Sequence, residues 1–156
     1  MKELPHTHSC FVCGESNPYG LKLRFETDGQ VVRTRFCPQR EHIGFKGVVH
    51  GGLIATVLDE IMVWACAVNT RQFAFCAELN VRFLKTLSPG QEVNVTGELT
   101  ANRKGKIFEA RSCLRNAADE ILAEGSGKYL PIKAAAVSEM AADFVGDASW
   151  LTDKYD

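Results

Sequence analysis

"VVHGGLIATVLDEIMVWACAVN" (48–69) is an almost unbroken apolar run that opens on His50-Gly51-Gly52 and carries two adjacent carboxylates, Asp59 and Glu60, in its middle. At about 100° of rotation per residue, Leu53, Ile54, Val57, Leu58, Ile61, Trp64 and Val68 gather into one broad stripe. That is the pattern of a helix packed on a sheet, and it predicts an α-helix from His50 to about Asn69. Asp59 lies nearly opposite the stripe, on a face built from Gly52, Ala55 and Cys66. These residues are small, so a second backbone or a ligand can approach closely there. The plainer reading makes the two carboxylates the wet side of an amphipathic helix, but such a side would carry long, solvated Lys or Glu at the neighbouring places.

The flanking sequence supplies a sheet. "LKLRFETDGQVVRTRF" (21–36) alternates apolar and polar residues around Asp28-Gly29 and predicts a β-hairpin. Pro38, Gly44 and Gly47 make 37–49 a loop. After the helix, 73–87 reads as one long strand closed by Ser88-Pro89-Gly90. Residues 92–116 read as two strands joined at Lys104-Gly105, and 121–132 as the last strand. One long helix followed by four long strands predicts an α+β fold, an antiparallel β-sheet wrapped around one long central helix. Residues 1–20 then form a Cys/His/Pro-rich cap, 21–132 the main domain, and 133–156 a weakly helical tail.

Composition narrows the partners. Eighteen Lys+Arg against 19 Asp+Glu leave a formal net charge of −1, so neither nucleic acid nor an anionic membrane is an expected partner. With 46% of the chain apolar, one domain can bury its own core. The start of the chain carries Lys2 and Glu3 and no apolar signal core. Asp59-Glu60 interrupt the longest apolar run short of the roughly 18 residues that a membrane span needs. Six cysteines in such a chain are expected to be reduced thiols, and the expected location is cytoplasmic.

His50-Gly51-Gly52 falls at the helix start, where unpaired N–H groups and the macrodipole present positive partial charge. Glycine there lets a carbonyl oxygen come close, and Asp59, two and a half turns on, supplies a base or nucleophile for the carbonyl carbon. Those are the parts of an acyl-transfer site.

His-Gly-Gly followed by an acid nine residues after the histidine resembles the signature of the PaaI-like group of hotdog-fold acyl-CoA thioesterases. Three further stretches resemble that group: "CFVCGESNPYGLKLRF" (10–25), "EHIGFKGVVHGG" (41–52) and "AELNVRFLKTLSPGQEV" (77–93). The resemblance spans about residues 10 to 131. It implies hydrolysis of an acyl- or aryl-CoA to free acid and coenzyme A without a cofactor. Asp59 would be the general base or nucleophile, the Gly51 N–H would polarise the carbonyl, and His50 would shape the same corner. Gly52 and Glu60 would lie beside the substrate. It also implies a homodimer, doubled to a homotetramer, with the site at the dimer interface. Two positions depart from the group. Gly44 stands where many relatives carry an asparagine donor, which leaves that task to water or His42. Cys76 stands where they often carry Ser or Thr. The alternative is a non-catalytic acyl-CoA binding hotdog protein. A hotdog hydratase uses a different Asp/His arrangement, and the His50-to-Asp59 spacing argues against it.

Other clusters admit two readings each. Arg103, Lys104 and Lys106 around Gly105 can grip coenzyme A phosphates or form an ordinary solvated hairpin tip. Trp64, Phe73 and Phe75 can line an acyl tunnel or fill the core. His42 can act as an acid–base group or hold a turn. His6, His8, Cys10 and Cys13 put four zinc-ligand types into eight residues, but one Cys-x-x-Cys is half of a usual zinc site. A structural cap over the sheet end is favoured, with no metal expected.

Overall fold

The computed structural model describes residues 1–152, so residues 153–156 of the predicted tail lie outside it. In chain order the elements are β1 (Lys2–Glu3), β2 (His6–Thr7), β3 (Glu26–Thr27), β4 (Val31–Phe36), a 3-10 turn (Arg40–His42), α1 (Gly51–Thr70), β5 (Ala74–Phe83), β6 (Val93–Arg103), β7 (Ile107–Arg115), β8 (Ile121–Pro131), α2 (Ala134–Ala141), β9 (Phe144–Val145) and α3 (Ser149–Thr152). The main sheet is antiparallel in the order β1-β3-β4-β6-β7-β8-β5, and β2 pairs with β9 in a second, two-stranded sheet. The main sheet wraps around α1, as the alternating pattern predicts.

Local chemistry sets the turns. Asp28 Oδ1 accepts from the Gln30 and Val31 N–H groups at 3.0 and 2.8 Å, and Gly29 takes φ 100°, so the chain reverses between β3 and β4. Lys104 and Gly105 both have positive φ and close the β6–β7 hairpin as the sequence predicts. The helix ends at Arg71, in the left-handed region, whose N–H donates to the Ala67 carbonyl at 2.8 Å.

The core lies between α1 and the sheet. Ile54, Val57, Leu58, Ile61 and Trp64 are buried as the stripe predicts, while Leu53 and Val68 are half-buried at its margins. Contact is closest at Gly97 of β6, where a Cβ would lie 2.7 Å from the Ile61 carbonyl oxygen. Contrary to the expectation that Asp59-Glu60 cut the run too short, α1 is long and apolar enough to cross a membrane, but here it packs against β4–β8.

Three expectations need correction. The first arm of the 21–36 hairpin shrinks to Glu26–Thr27. Lys22 takes φ 53°, and the Leu21 and Leu23 N–H groups donate to the Phe11 and Val12 carbonyls, which ties this stretch to the N-terminal segment instead. The strand predicted over 73–87 ends at Phe83. Leu84 and Lys85 both donate to the Leu122 carbonyl, and the chain then turns inward to bury Leu87 beneath the helix start. The tail is more than weakly helical. β9 pairs with β2, Val137 and Leu151 are buried, and the Phe144 ring packs on Trp64 and Phe73. Trp64 and Phe73 are therefore core residues, whereas Phe75 is 52% exposed on β5.

Candidate active site

At the start of α1, His50 is the N-cap: its Nδ1 accepts the Gly52 N–H at 2.9 Å. This satisfies one of the open donors of the first turn and assigns the imidazole proton to Nε2. The Gly51 N–H has no acceptor among the described residues. The Phe83 ring covers Gly51 so closely that a Cβ there would lie 3.2 Å from it. Beside this end of the helix is a pocket of about 600 Å³, bounded by Phe45, Val48, Ile54, Phe83 and Leu87 together with His50 and Gly51. It is mostly apolar, with a backbone N–H at its wall and the helix dipole behind it.

Asp59 faces a different set of groups. The buried Tyr129 of β8 donates its hydroxyl to Asp59 Oδ1 at 2.8 Å. Gly127, two residues earlier on the same face of β8, makes room for that ring, since a Cβ there would lie 3.0 Å from the hydroxyl oxygen. Cys66 and Cys76 complete the surroundings. Burial and the nearby Asp59 push the Cys66 thiol up to about 12 and the Cys76 thiol up to about 11. The same two causes hold the Tyr129 phenol well above its ordinary range, so it remains a hydrogen-bond donor. Asp59 is half-buried, with its Oδ1 held by the Tyr129 hydroxyl.

Tyr129 is the one member of this cluster that reading the sequence missed. Its only signal was a tyrosine two residues beyond a glycine in a strand expected to face the helix.

Within one chain the acid and the helix-start donor do not converge. Eight residues of helix separate Asp59 from Gly51, about 12 Å along the axis, and Asp59 lies outside the Gly51 pocket. Within one chain, Asp59 is therefore not placed to act on a carbonyl held at its own helix start. β5 meanwhile is paired only with β8 among the described residues and forms the sheet edge. On it, Phe75, Leu79 and Phe83 are exposed by 52, 38 and 53%. A long apolar edge strand of this kind calls for a partner.

The remaining candidates fall into place around these two centres. Cys76 adjoins Asp59 as its position implies. Gly52 is exposed at the first helical turn. A Cβ on Gly44 would lie 3.1 Å from the His50 ring, so a larger residue there would have to displace the cap. His42 holds a turn: its Nδ1 accepts the Gln39 N–H at 2.9 Å, and its ring stacks on Phe36. Glu60 faces Cys10 and Cys13 of the N-terminal segment. Arg103, Lys104 and Lys106 are exposed at the β6–β7 tip, with Arg103 tied to Glu109 at 2.6 Å. Register sets that tip close to the Phe108–Tyr129–Cys76 row and hence to the Asp59 end of the sheet.

Residues 46–107 match the family model of the thioesterase superfamily. The chain has the hotdog fold, and the matched segment is similar to that superfamily. Solved structures superpose on this chain over most of its length. A thioesterase superfamily protein aligns with a TM-score of 0.73 and 22% identity, covering 79% of this chain and 63% of its own. The present chain thus spans less than two thirds of that relative. The PaaI protein from the phenylacetic acid degradation operon of E. coli aligns with a TM-score of 0.65 and 17% identity, covering 72% of this chain and 80% of its own. A Streptococcus mutans protein bound to acetyl CoA aligns with a TM-score of 0.65 and 15% identity over 70% of this chain and 88% of its own. No curated protein matches the sequence. The resemblance to PaaI-like proteins thus holds for the fold, and the matched family segment contains His50, Gly51 and Asp59.

Proposed function

We propose that this protein is an acyl-CoA thioesterase that hydrolyses an acyl- or aryl-CoA to free acid and coenzyme A in a site shared by two copies of the chain. The observation that carries the reading is the separation of two complementary half-sites on one helix. A carboxylate held by Tyr129 lies about 12 Å from an unpaired Gly51 N–H beside an apolar pocket. In a two-fold dimer with β5 edges joined and helices antiparallel, Asp59 of one subunit comes opposite the partner subunit's Gly51. The thioester oxygen then receives the Gly51 N–H and the positive end of the helix, which stabilises the oxyanion of the tetrahedral intermediate. Asp59 either takes a proton from the attacking water or itself attacks the carbonyl carbon; the coenzyme A thiolate leaves, and in the second case water then hydrolyses the acyl–Asp59 anhydride to the free acid. Lys104 and Lys106 hold the coenzyme A phosphates. Acetyl CoA in the S. mutans structural neighbour supports a CoA thioester as ligand.

The binding-only alternative is favoured by one feature, Gly44, which offers no side-chain donor to the carbonyl. Thiol release over a panel of aliphatic and aromatic acyl-CoAs separates the two. Turnover of any of them supports the enzyme, and tight binding without turnover of all of them supports the binder. Sedimentation adds a second test, since an active monomer at micromolar concentration defeats the shared site.

A further inference from the structure

The N-terminal segment meets α1 at a place that thioester hydrolysis does not use. Cys10 and Cys13 bracket a tight turn in which the Gly14 N–H donates to the Cys10 carbonyl at 2.9 Å. A Cβ on Gly14 would lie 2.2 Å from that oxygen, so glycine alone closes the turn. The Val12 N–H donates to the Cys10 Sγ at 3.3 Å. Glu60 projects toward this turn from α1. The two Sγ atoms and a Glu60 carboxylate oxygen all lie within 4.8 Å of one another, with Cys10 Sγ 3.8 Å from Glu60 Oε1. Cys13 is buried, and Cys10 and Glu60 are half-buried.

Three acidic groups converge here. Among the described residues no cation pairs with Glu60. His6 and His8, the histidines offered as ligands by the sequence, are turned to Glu15 at 3.0 and 3.1 Å. Arg24 donates to the Cys13 carbonyl, on the backbone side of the turn. Burial, with Cys10 and Asp59 nearby, pushes the Glu60 carboxyl up to about 8. The Cys13 thiol, donating to Cys10 and buried, is held far above its ordinary range, while Cys10 is held below it. Two thiols and a carboxylate within one ligand-to-ligand distance are all ligands for a divalent cation once deprotonated, so their geometry by itself makes a site.

We propose that Cys10, Cys13 and Glu60 bind one zinc ion, with water at the fourth, solvent-facing position. Zinc–sulfur bonds near 2.3 Å and zinc–oxygen bonds near 2.1 Å place tetrahedral ligand atoms about 3.5–3.8 Å apart, so the observed cluster needs only a small contraction. Two thiolates favour zinc over magnesium or calcium, which take oxygen ligands. The ion joins the N-terminal segment to α1 at the residue next to Asp59. It faces about 100° round the helix from the Tyr129 contact, so it is a clamp and not part of the hydrolytic site. The site stands whether or not the protein cleaves thioesters.

The test uses the full-length chain, reduced with a phosphine, stripped with a chelator and desalted without oxygen. Zinc alone is titrated against a chromophoric chelator, and cobalt(II) alone is followed by its thiolate charge-transfer and tetrahedral ligand-field absorption. One zinc per chain is expected, with both cobalt signals. Cys10→Ser, Cys13→Ser and Glu60→Gln should each weaken zinc by about 100-fold or more, beyond the loss typical of a residue that only orients a ligand. Glu60→Gln preserves side-chain shape and, with an unchanged circular dichroism spectrum, separates ligand loss from misfolding. Glu15→Gln, which frees His6 and His8, should leave zinc affinity unaltered. The proposal is overturned by a reduced protein that takes up no zinc, including one that instead re-forms a Cys10–Cys13 disulfide. It is equally overturned if Cys10→Ser or Glu60→Gln binds zinc at wild-type strength.

Discussion

Tyr129→Phe removes one oxygen atom and tests how Asp59 is held. The ring is fully buried and should stay in place, so the change is confined to the 2.8 Å hydrogen bond to Asp59 Oδ1. A hydrogen bond to a charged group contributes about 1.5–3 kcal/mol. Asp59 is half-buried, so water can partly replace the hydroxyl, and the lower end of that range applies. At 1.36 kcal/mol per tenfold, about 1.5 kcal/mol corresponds to roughly a tenfold fall in kcat with little change in KM. Asp59→Asn removes the basic oxygen itself and should lower kcat by about 10²–10⁴-fold. Because Tyr129 touches the reaction only through Asp59, Tyr129→Phe should cost nothing further in the Asp59→Asn background, so the cycle returns the whole single-variant effect as coupling. The assay is coenzyme A thiol release at saturating and sub-saturating substrate, with thermal melts to show that each variant folds. A fully active Tyr129→Phe enzyme, or a tenfold loss that persists beside Asp59→Asn, would refute the reasoning.

Gly97→Ala forces a Cβ to within 2.7 Å of the Ile61 carbonyl and should cost about 1–3 kcal/mol, seen by calorimetry as a melting point lower by several degrees. An unchanged melting point would show that α1 can lift off the sheet freely. Lys104→Ala with Lys106→Ala should raise KM with kcat nearly intact, since remote phosphate contacts bind ground and transition states alike. Kinetics indifferent to both the substitutions and salt would make the tip a solvated turn. Cys66 and Cys76 hold their protons at pH 8, so iodoacetamide should modify exposed Cys37 well before either, as read by peptide mass mapping. The folded protein keeps the Cys66 proton after the unfolded chain has begun to release it near pH 9. Stability should therefore fall as pH rises from about 9 toward about 12, and alkaline melts that show no fall in that window would contradict the shift.

Much of the architecture is written in short windows of the chain. The apolar stripe predicts α1 over 50–69 and the structure has it over Gly51–Thr70, and Lys104-Gly105 marks the β6–β7 turn. Helical period and turn chemistry are local properties, so a window of a dozen residues carries them. The same geometry showed that Asp59 and Glu60 face different directions. It could not say what each would meet, because that depends on the register of strands far away in the chain. Tyr129 reaches Asp59 across 70 residues, and Cys10 reaches Glu60 across 50. The end of β5 was equally hidden, since Leu84 leaves the strand for a carbonyl on Leu122. The tail, read as weakly helical, gains its order from contacts with β2, Trp64 and Phe73 that no local pattern announces. The sequence by itself thus determined the helix, the sheet and the acid on a small-residue face. Tertiary structure alone decided the neighbours of that acid and its distance from the helix start, because packing brings together side chains whose separation along the chain leaves no periodic trace.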